Sequence, residues 1–315
     1  MYAPSSISYI KAENAKFRSP YLPVAVFVGG TSGIGRAIAE AFARHTKGNA
    51  HIIIVGRNRA AAESIIASFP YPTTEPLSVQ PKHEFIQCDV SLLKNVRQVA
   101  KDILARHDKI NFLVLSPGVL SFARDDITED GVERSAALVY YSRWKFIYDL
   151  TPALTKAREE NEDAKVLSVL SAGNGGKIDL GDLPLKKAST ITAIKSMMTY
   201  NDIMMDGFAS RFPSVSFVHC YPGYVRTPIG SNSPSFLIRT LSFITNSSFS
   251  PLFYLAMSPE DCGEYQLYGI LYTASTPGAW RIGKYGNHIG KKGYYGDDNA
   301  RDVLWEYTLE VTGSK

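Results

Sequence analysis

Gly29, Thr31, Ser32, Gly33 and Gly35 lie between an apolar run and a helical pattern. Their types and spacing suit one task, the holding of a phosphate. A glycine just past a strand adopts backbone angles that other residues reach only at a cost. A second glycine lets the backbone come close to a ligand, and a third lets the next helix pack on the sheet. That helix turns free N–H groups and the positive end of its dipole towards the turn, and Thr31 and Ser32 add hydroxyl donors. The elements that must position this turn are legible around it. Val24 to Val28 reads as a buried strand, and Ile34, Ala37, Ile38, Ala41 and Phe42 fall on one helical face. A tight surface turn needs neither element. With strand, turn and amphipathic helix in series, the reading is a nucleotide-binding βα unit.

The bulk properties set limits around this unit. The 315 residues carry 34 Lys and Arg against 30 Asp and Glu, and the net charge of +4 forms no strong basic run that would favour nucleic acid. Cys88, Cys220 and Cys262 are odd in number and widely spaced, which argues against a disulfide framework or a zinc site and fits a reducing, cytoplasmic setting. Residues 1–20 form a charged arm without the apolar core of a signal peptide. No run of ~20 apolar residues suggests a transmembrane segment. With no internal repeat and no Pro/Ser-rich linker, residues 21–315 read as one domain.

The spacing G-x-x-x-G-x-G differs from the general dinucleotide fingerprint. It resembles the short-chain dehydrogenase/reductase family, with Val28 where the family has threonine and Gly33-Ile34-Gly35 closing the motif. The resemblance implies an α/β, single-domain Rossmann fold with a doubly wound, seven-stranded parallel sheet that binds a nicotinamide dinucleotide. A second family pattern, P-G-x-V-x-T, is matched by Pro222, Gly223, Val225 and Thr227, roughly two hundred residues later. In the family this segment holds the nicotinamide, with backbone groups at the Val225 position and a hydroxyl at the Thr227 position.

Between these patterns the chain follows the family in outline. After the second strand, His51 to Val55, an acid would bind the free ribose hydroxyl of NAD. Here the text is Gly56-Arg57-Asn58-Arg59, and Arg57 and Arg59 suit a 2′-phosphate, so NADP(H) is the expected cofactor. The alternative is a solvated helix start. Asp89-Val90, after the third strand, matches the position beside the adenine ring, and Asp89 could also cap the next helix. Leu115-Ser116-Pro117-Gly118 replaces the usual N-N-A-G and keeps only Gly118.

The catalytic set is where the chain departs. Ser171 stands where the family keeps its serine, but no tyrosine lies between Ser171 and Tyr200. The family's Tyr-x-x-x-Lys would fall near Thr190 or Ile191, with the lysine at Ile194 or Lys195. Val139 replaces the family's asparagine. A Tyr-x-x-x-Lys does occur at Tyr141 and Lys145, on the helix before the fifth strand, and reads as a packing face. Ser171, Thr190 and Lys195 are therefore the catalytic candidates of a site that lacks its phenol. Residues 231–257 are apolar and aromatic and resemble the family's lid over a substrate, with a membrane-surface helix or a dimer contact as the alternative. Val139 to Arg143, Asp179-Leu180 and the text from Pro213 to Gly223 resemble a fungal branch that works in secondary metabolism.

Three functions fit these residues. One is NADP(H)-dependent oxidoreduction of a carbonyl or alcohol on an apolar, polyketide-, terpenoid- or alkaloid-like molecule, with the proton passing through water, Ser171 or Lys195. The second is a non-redox cyclase, isomerase or dehydratase on the same scaffold. The third is an inactive protein that binds NADP(H) or a partner. The family often forms dimers or tetramers, and a homo-oligomer is expected on that ground.

Overall fold

A computed structural model of the chain describes residues 6–72, 80–121, 123–231, 240 and 256–314. Most of the expected apolar lid, 231–257, lies outside the described residues.

Seven strands form one parallel sheet in the order β3-β2-β1-β4-β5-β6-β7. They are β1 (Val24–Val28), β2 (His51–Gly56), β3 (His83–Gln87), β4 (Phe112–Leu115), β5 (Lys165–Val169), β6 (Ser216–Cys220) and β7 (Gly278–Ile282). The doubly wound sheet is the one the family resemblance implies. Its central strands are continuous apolar runs because both faces are covered. In β1, Val24, Val26 and Val28 enter one core cluster while Ala25 and Phe27 enter the other. Burial of a side chain such as Phe27 is worth roughly 1.5–3 kcal/mol.

The strand order reverses beside β1, between β2 and β4, and a crevice opens there at the carboxyl ends of the strands. Helices α2 (Gly33–His45), α3 (Arg59–Ala67) and α4 (Leu93–Leu104) follow the first three strands. After β4, a helical turn Arg134–Ala136 and a π-helical turn Ala137–Tyr141 lead into α5 (Ser142–Glu159). Helix α6 (Thr190–Arg211) joins β5 to β6, α7 (Pro259–Tyr268) precedes β7, and α8 (Asp298–Val311) follows it.

The amino-terminal arm, which the sequence left unplaced, forms α1 (Ile7–Asn14) and docks on α7. Asn14 is fully buried and donates to the Glu264 carbonyl at 2.9 Å and to its carboxylate at 2.7 Å. That carboxylate also meets His45 of α2 at 2.9 Å. Helix α7 lies so close to α2 that a Cβ on Gly263 would stand 2.6 Å from the Ala37 carbonyl oxygen. The arm thus braces the helix that carries the glycine turn.

Candidate active site

The glycine turn has the conformation its residues predict. Gly29 (φ +82°) and Gly33 (φ +56°) occupy left-handed backbone, which disfavours a side chain. Gly35 is required for a different reason: a Cβ there would lie 2.1 Å from Ser116 Oγ and 2.6 Å from the Gly29 carbonyl oxygen. Ser116 itself donates to the Val28 carbonyl. Ser32 begins α2 without a side-chain capping bond, so the first-turn N–H groups of α2 are left for a ligand.

A cavity of about 600 Å³ opens over this turn. Its walls include Gly29, Thr31, Ser32, Gly33, Ile34, Gly35, Arg57, Asp89, Val90, Gly118, Pro222, Gly223, Val225 and Thr227. All the expected cofactor residues but one therefore share a single crevice. The exception is Asn58, which accepts the Ala61 N–H at 3.0 Å and caps α3. The two distant sequence signatures also meet, since a Cβ on Gly33 would lie 3.4 Å from Thr227 Cγ2. Tyr224 O and Arg226 N bond to Met257, which leaves the N–H and C=O of Val225 facing the other way.

The two arginines after β2 separate. Arg59 lies 3.6 Å from Glu63 and covers the Phe85 ring. Arg57 is exposed at the crevice and pairs with no carboxylate among the described residues. A 2′-phosphate would thus meet Arg57 alone. Asp89 closes a turn by accepting the N–H and hydroxyl of Ser91 at 3.0 and 2.8 Å. It does not cap the next helix. Helix α4 starts at Leu93, whose N–H is taken at 2.6 Å by Asp130, a residue 37 positions later that only the fold brings near.

The catalytic candidates are placed otherwise. Among the described residues, Ser171, Thr190 and Lys195 do not line the cavity. Thr190 begins α6, and Lys195 is exposed with its stem beside Gly176. Ser171 Oγ accepts from Asn174 Nδ2. The Ser171 amide donates at 3.1 Å to His219 Nε2, so this nitrogen is unprotonated and Nδ1 carries the hydrogen that meets Asp202 at 2.6 Å. Arg281 closes the chain with two bonds to Asp202. This largely buried series fixes the backbone at Ser171, and it leaves His219 no free nitrogen with which to act as a base. Burial opposes the Asp202 charge, but His219 and Arg281 outweigh it and hold the carboxyl below its usual range.

Tyr141 and Lys145 form a packing face, as their position suggested. The Tyr141 hydroxyl meets Tyr307, and Lys145 bonds to Asp149 and Ser314, on the carboxyl-terminal side of the body. Tyr200 is buried and donates to the Leu183 carbonyl. Tyr224 is the phenol at the cavity wall among the described residues, and it is half exposed. Cys88 is also at the wall, but burial and then the Asp89 charge push its thiol up to about 12, which removes it as a nucleophile at neutral pH.

Sequence reasoning missed Ser116, Tyr224 and Arg143 as wall residues. Ser116 stood in the altered N-N-A-G text, and Tyr224 within the P-G-x-V-x-T pattern. Arg143 carried no spacing signal, because its guanidinium reaches the crevice only through the packing of α5 under β4 and β5.

Fold and site together define a doubly wound α/β protein with a glycine-turn crevice at its switch point. The short chain dehydrogenase family profile matches residues 23–236, and the chain belongs to that family. It is 36% identical over 229 residues to Oxidoreductase AN1596 of Emericella nidulans, a match spanning 72% of this chain and 66% of the relative, just under two thirds. It is 31% identical over 274 residues to Oxidoreductase andH of Emericella variicolor, covering 86% of this chain and 77% of that one. Among solved structures, an alcohol dehydrogenase from Thermococcus sibiricus complexed with 5-hydroxy-NADP superposes with a TM-score of 0.57 at 17% identity, covering 84% and 96% of the two chains. At that identity the likeness concerns the fold. Among the described residues, no helix is long and apolar enough to cross a membrane, and no cluster of acidic, His or Cys side chains could hold a metal ion.

Proposed function

We propose that this chain is an NADP(H)-dependent oxidoreductase acting on a carbonyl or alcohol of an apolar small molecule. The observation that carries the reading is the crevice itself: a glycine turn with left-handed Gly29 and Gly33, an uncapped helix start, an unpaired Arg57 and the Val225–Thr227 edge face one space. These residues fit a dinucleotide phosphate. The names of the fungal oxidoreductases and the NADP analogue named with the Thermococcus structure support the same class.

The bound cofactor would exchange a hydride with the substrate's carbonyl carbon. In the reducing direction the carbonyl electron pair moves to oxygen, which then needs a proton. A phenol whose pKa is lowered by a neighbouring cation does this well, but Tyr200, the tyrosine of α6, is buried with its hydroxyl on the Leu183 carbonyl and does not line the crevice. With Ser171, Thr190 and Lys195 off the cavity wall, water or Tyr224 is the proton source in this proposal. Exposed Tyr224 and Ile229 on the crevice wall suit an apolar substrate. The missing phenol also favours a second reading, a non-redox enzyme that uses the same pocket to hold a reactive conformer.

Fluorescence titration with NADPH and NADH separates these readings. Wild-type protein is expected to prefer NADPH, and Arg57→Ala to lose roughly tenfold in that preference, the scale of one charge-assisted phosphate contact. No binding at near-millimolar cofactor would refute the oxidoreductase reading. Binding without hydride transfer from deuterated NADPH across carbonyl substrates would move the conclusion to the second one.

A further inference from the structure

One end of the crevice contains a buried cation with no counter-charge. Arg143, on α5, is 1% exposed yet forms part of the cavity wall. Its Nη1 donates to Ser168 Oγ at 2.7 Å and to the Val169 carbonyl at 2.9 Å. Its Nη2 donates to the Pro117 carbonyl at 2.5 Å, and its Nε to Leu138 O at 3.4 Å. These four bonds occupy four of the five N–H hydrogens of a guanidinium, leaving one on Nη2. Every acceptor is neutral. Burial lowers the pKa to about 9. A buried charge with hydrogen bonds but no opposite charge is expensive to keep.

The cation is also held from behind. Ser168 Oγ meets Asn201 Oδ1 at 2.9 Å, and Asn201 Nδ2 bonds to the Val139 carbonyl at 2.9 Å. Val139 lies in the π-helical turn that precedes α5. The guanidinium is thus fixed before any ligand arrives.

Its position along the crevice gives the charge a meaning. Arg57 and Asp89 follow β2 and β3, on one side of the glycine turn. Pro117 follows β4 and Val169 ends β5, on the other side. If the adenosine lies over β2 and β3, as the proposed function requires, the nicotinamide lies at the Arg143 end.

We infer that Arg143 biases this site towards the reduced cofactor, because its fixed positive charge disfavours the positively charged oxidised nicotinamide and tolerates the neutral reduced ring. The inference rests on the proposed dinucleotide reading. It predicts that the chain rests with the reduced form of the cofactor bound, the same charge making hydride release harder. Like charges sharing a poorly solvated pocket with an effective dielectric constant of about 20 differ in binding by roughly tenfold or more from a charged–neutral pair.

The test is calorimetric titration of the full chain with NADPH, NADP⁺ and 2′,5′-ADP, the last carrying the adenosine end without nicotinamide. Wild-type protein, Arg143→Lys and Arg143→Gln are compared, with thermal unfolding of each. Wild type is expected to bind NADPH about tenfold more tightly than NADP⁺ or better. Arg143→Lys keeps that ratio, Arg143→Gln brings it near one, and 2′,5′-ADP affinity is unchanged in all three. A merely structural role would weaken both nicotinamide forms equally and leave the ratio untouched, which overturns the inference. A wild-type ratio of one or less overturns it without any variant, so the test survives a poorly folded Arg143→Gln. Binding of 2′,5′-ADP with no such ratio removes this inference alone, whereas no binding of any of the three removes the proposed function as well.

Discussion

Replacing Gly35 with alanine should reverse the sign expected from helix propensity. Gly35 lies in the first turn of α2 and has no positive φ, so propensity alone predicts a gain of up to about 1 kcal/mol. The local packing predicts a loss. The new methyl would stand 2.1 Å from Ser116 Oγ and 2.6 Å from the Gly29 carbonyl oxygen, both inside contact distance. The serine hydroxyl can rotate away, but it would then give up its bond to the Val28 carbonyl. The Gly29 oxygen belongs to the turn and can move only with it. Overpacking of this kind costs about 1–3 kcal/mol, so a net destabilisation of ~1–2 kcal/mol is expected, together with weaker NADPH binding as the turn opens. The assay is chemical denaturation followed by circular dichroism, with NADPH titration of the same samples. Ser116→Ala added to Gly35→Ala removes the 2.1 Å contact and leaves the 2.6 Å one, so the double variant should recover part of the stability and little of the binding. If Gly35→Ala were as stable as wild type and bound NADPH unchanged, the claim that this glycine exists for close approach would be refuted.

Three further outcomes follow from other parts of the molecule. Asp202→Asn leaves Arg281 and His219 without their shared carboxylate and should destabilise the fold by about 3 kcal/mol, read from denaturation midpoints, because one partner of a buried ion pair is left uncompensated. Acid should act through the same group: the folded pKa of Asp202 is depressed, so its stabilisation is complete above its unfolded pKa of about 4 and is lost as pH falls through the folded value. Wild-type midpoints should therefore fall below about pH 4 more steeply than those of Asp202→Asn, and parallel curves would contradict this. Asn14→Leu removes a buried donor from Glu264 and should cost about 1–3 kcal/mol in the same denaturation assay, with no change expected if α1 merely rests on α7.

Much of the crevice was legible in the chain because its parts are backbone devices. A glycine forced to positive φ, an uncapped helix start or a Pro-Gly edge performs its task wherever the sheet puts it, so Gly29, Gly33, Pro222 and Gly223 could be named before their distances were known. Asn58 was misplaced for a related reason. An asparagine after a strand can meet a ligand or cap the next helix, and here it caps. Asp89 shows the reverse, because the cap of α4 was taken by Asp130 from a distant loop.

The sequence by itself carried the strand runs, the glycine turn and a stretch between Ser171 and Tyr200 without tyrosine, since residue types and their spacing are local properties, while the family resemblance implied the order of the sheet. Only the tertiary structure decided which side chains face the crevice. It turned Arg59 onto Phe85, left Arg57 free, set Ser171 against His219 and carried Arg143 beneath the ends of β4 and β5. The physical reason is that a charged side chain's role depends on which acceptors and charges surround it. For Arg143 these are the Pro117 and Val169 carbonyls, 26 residues away on either side and brought together only when the sheet closes over α5.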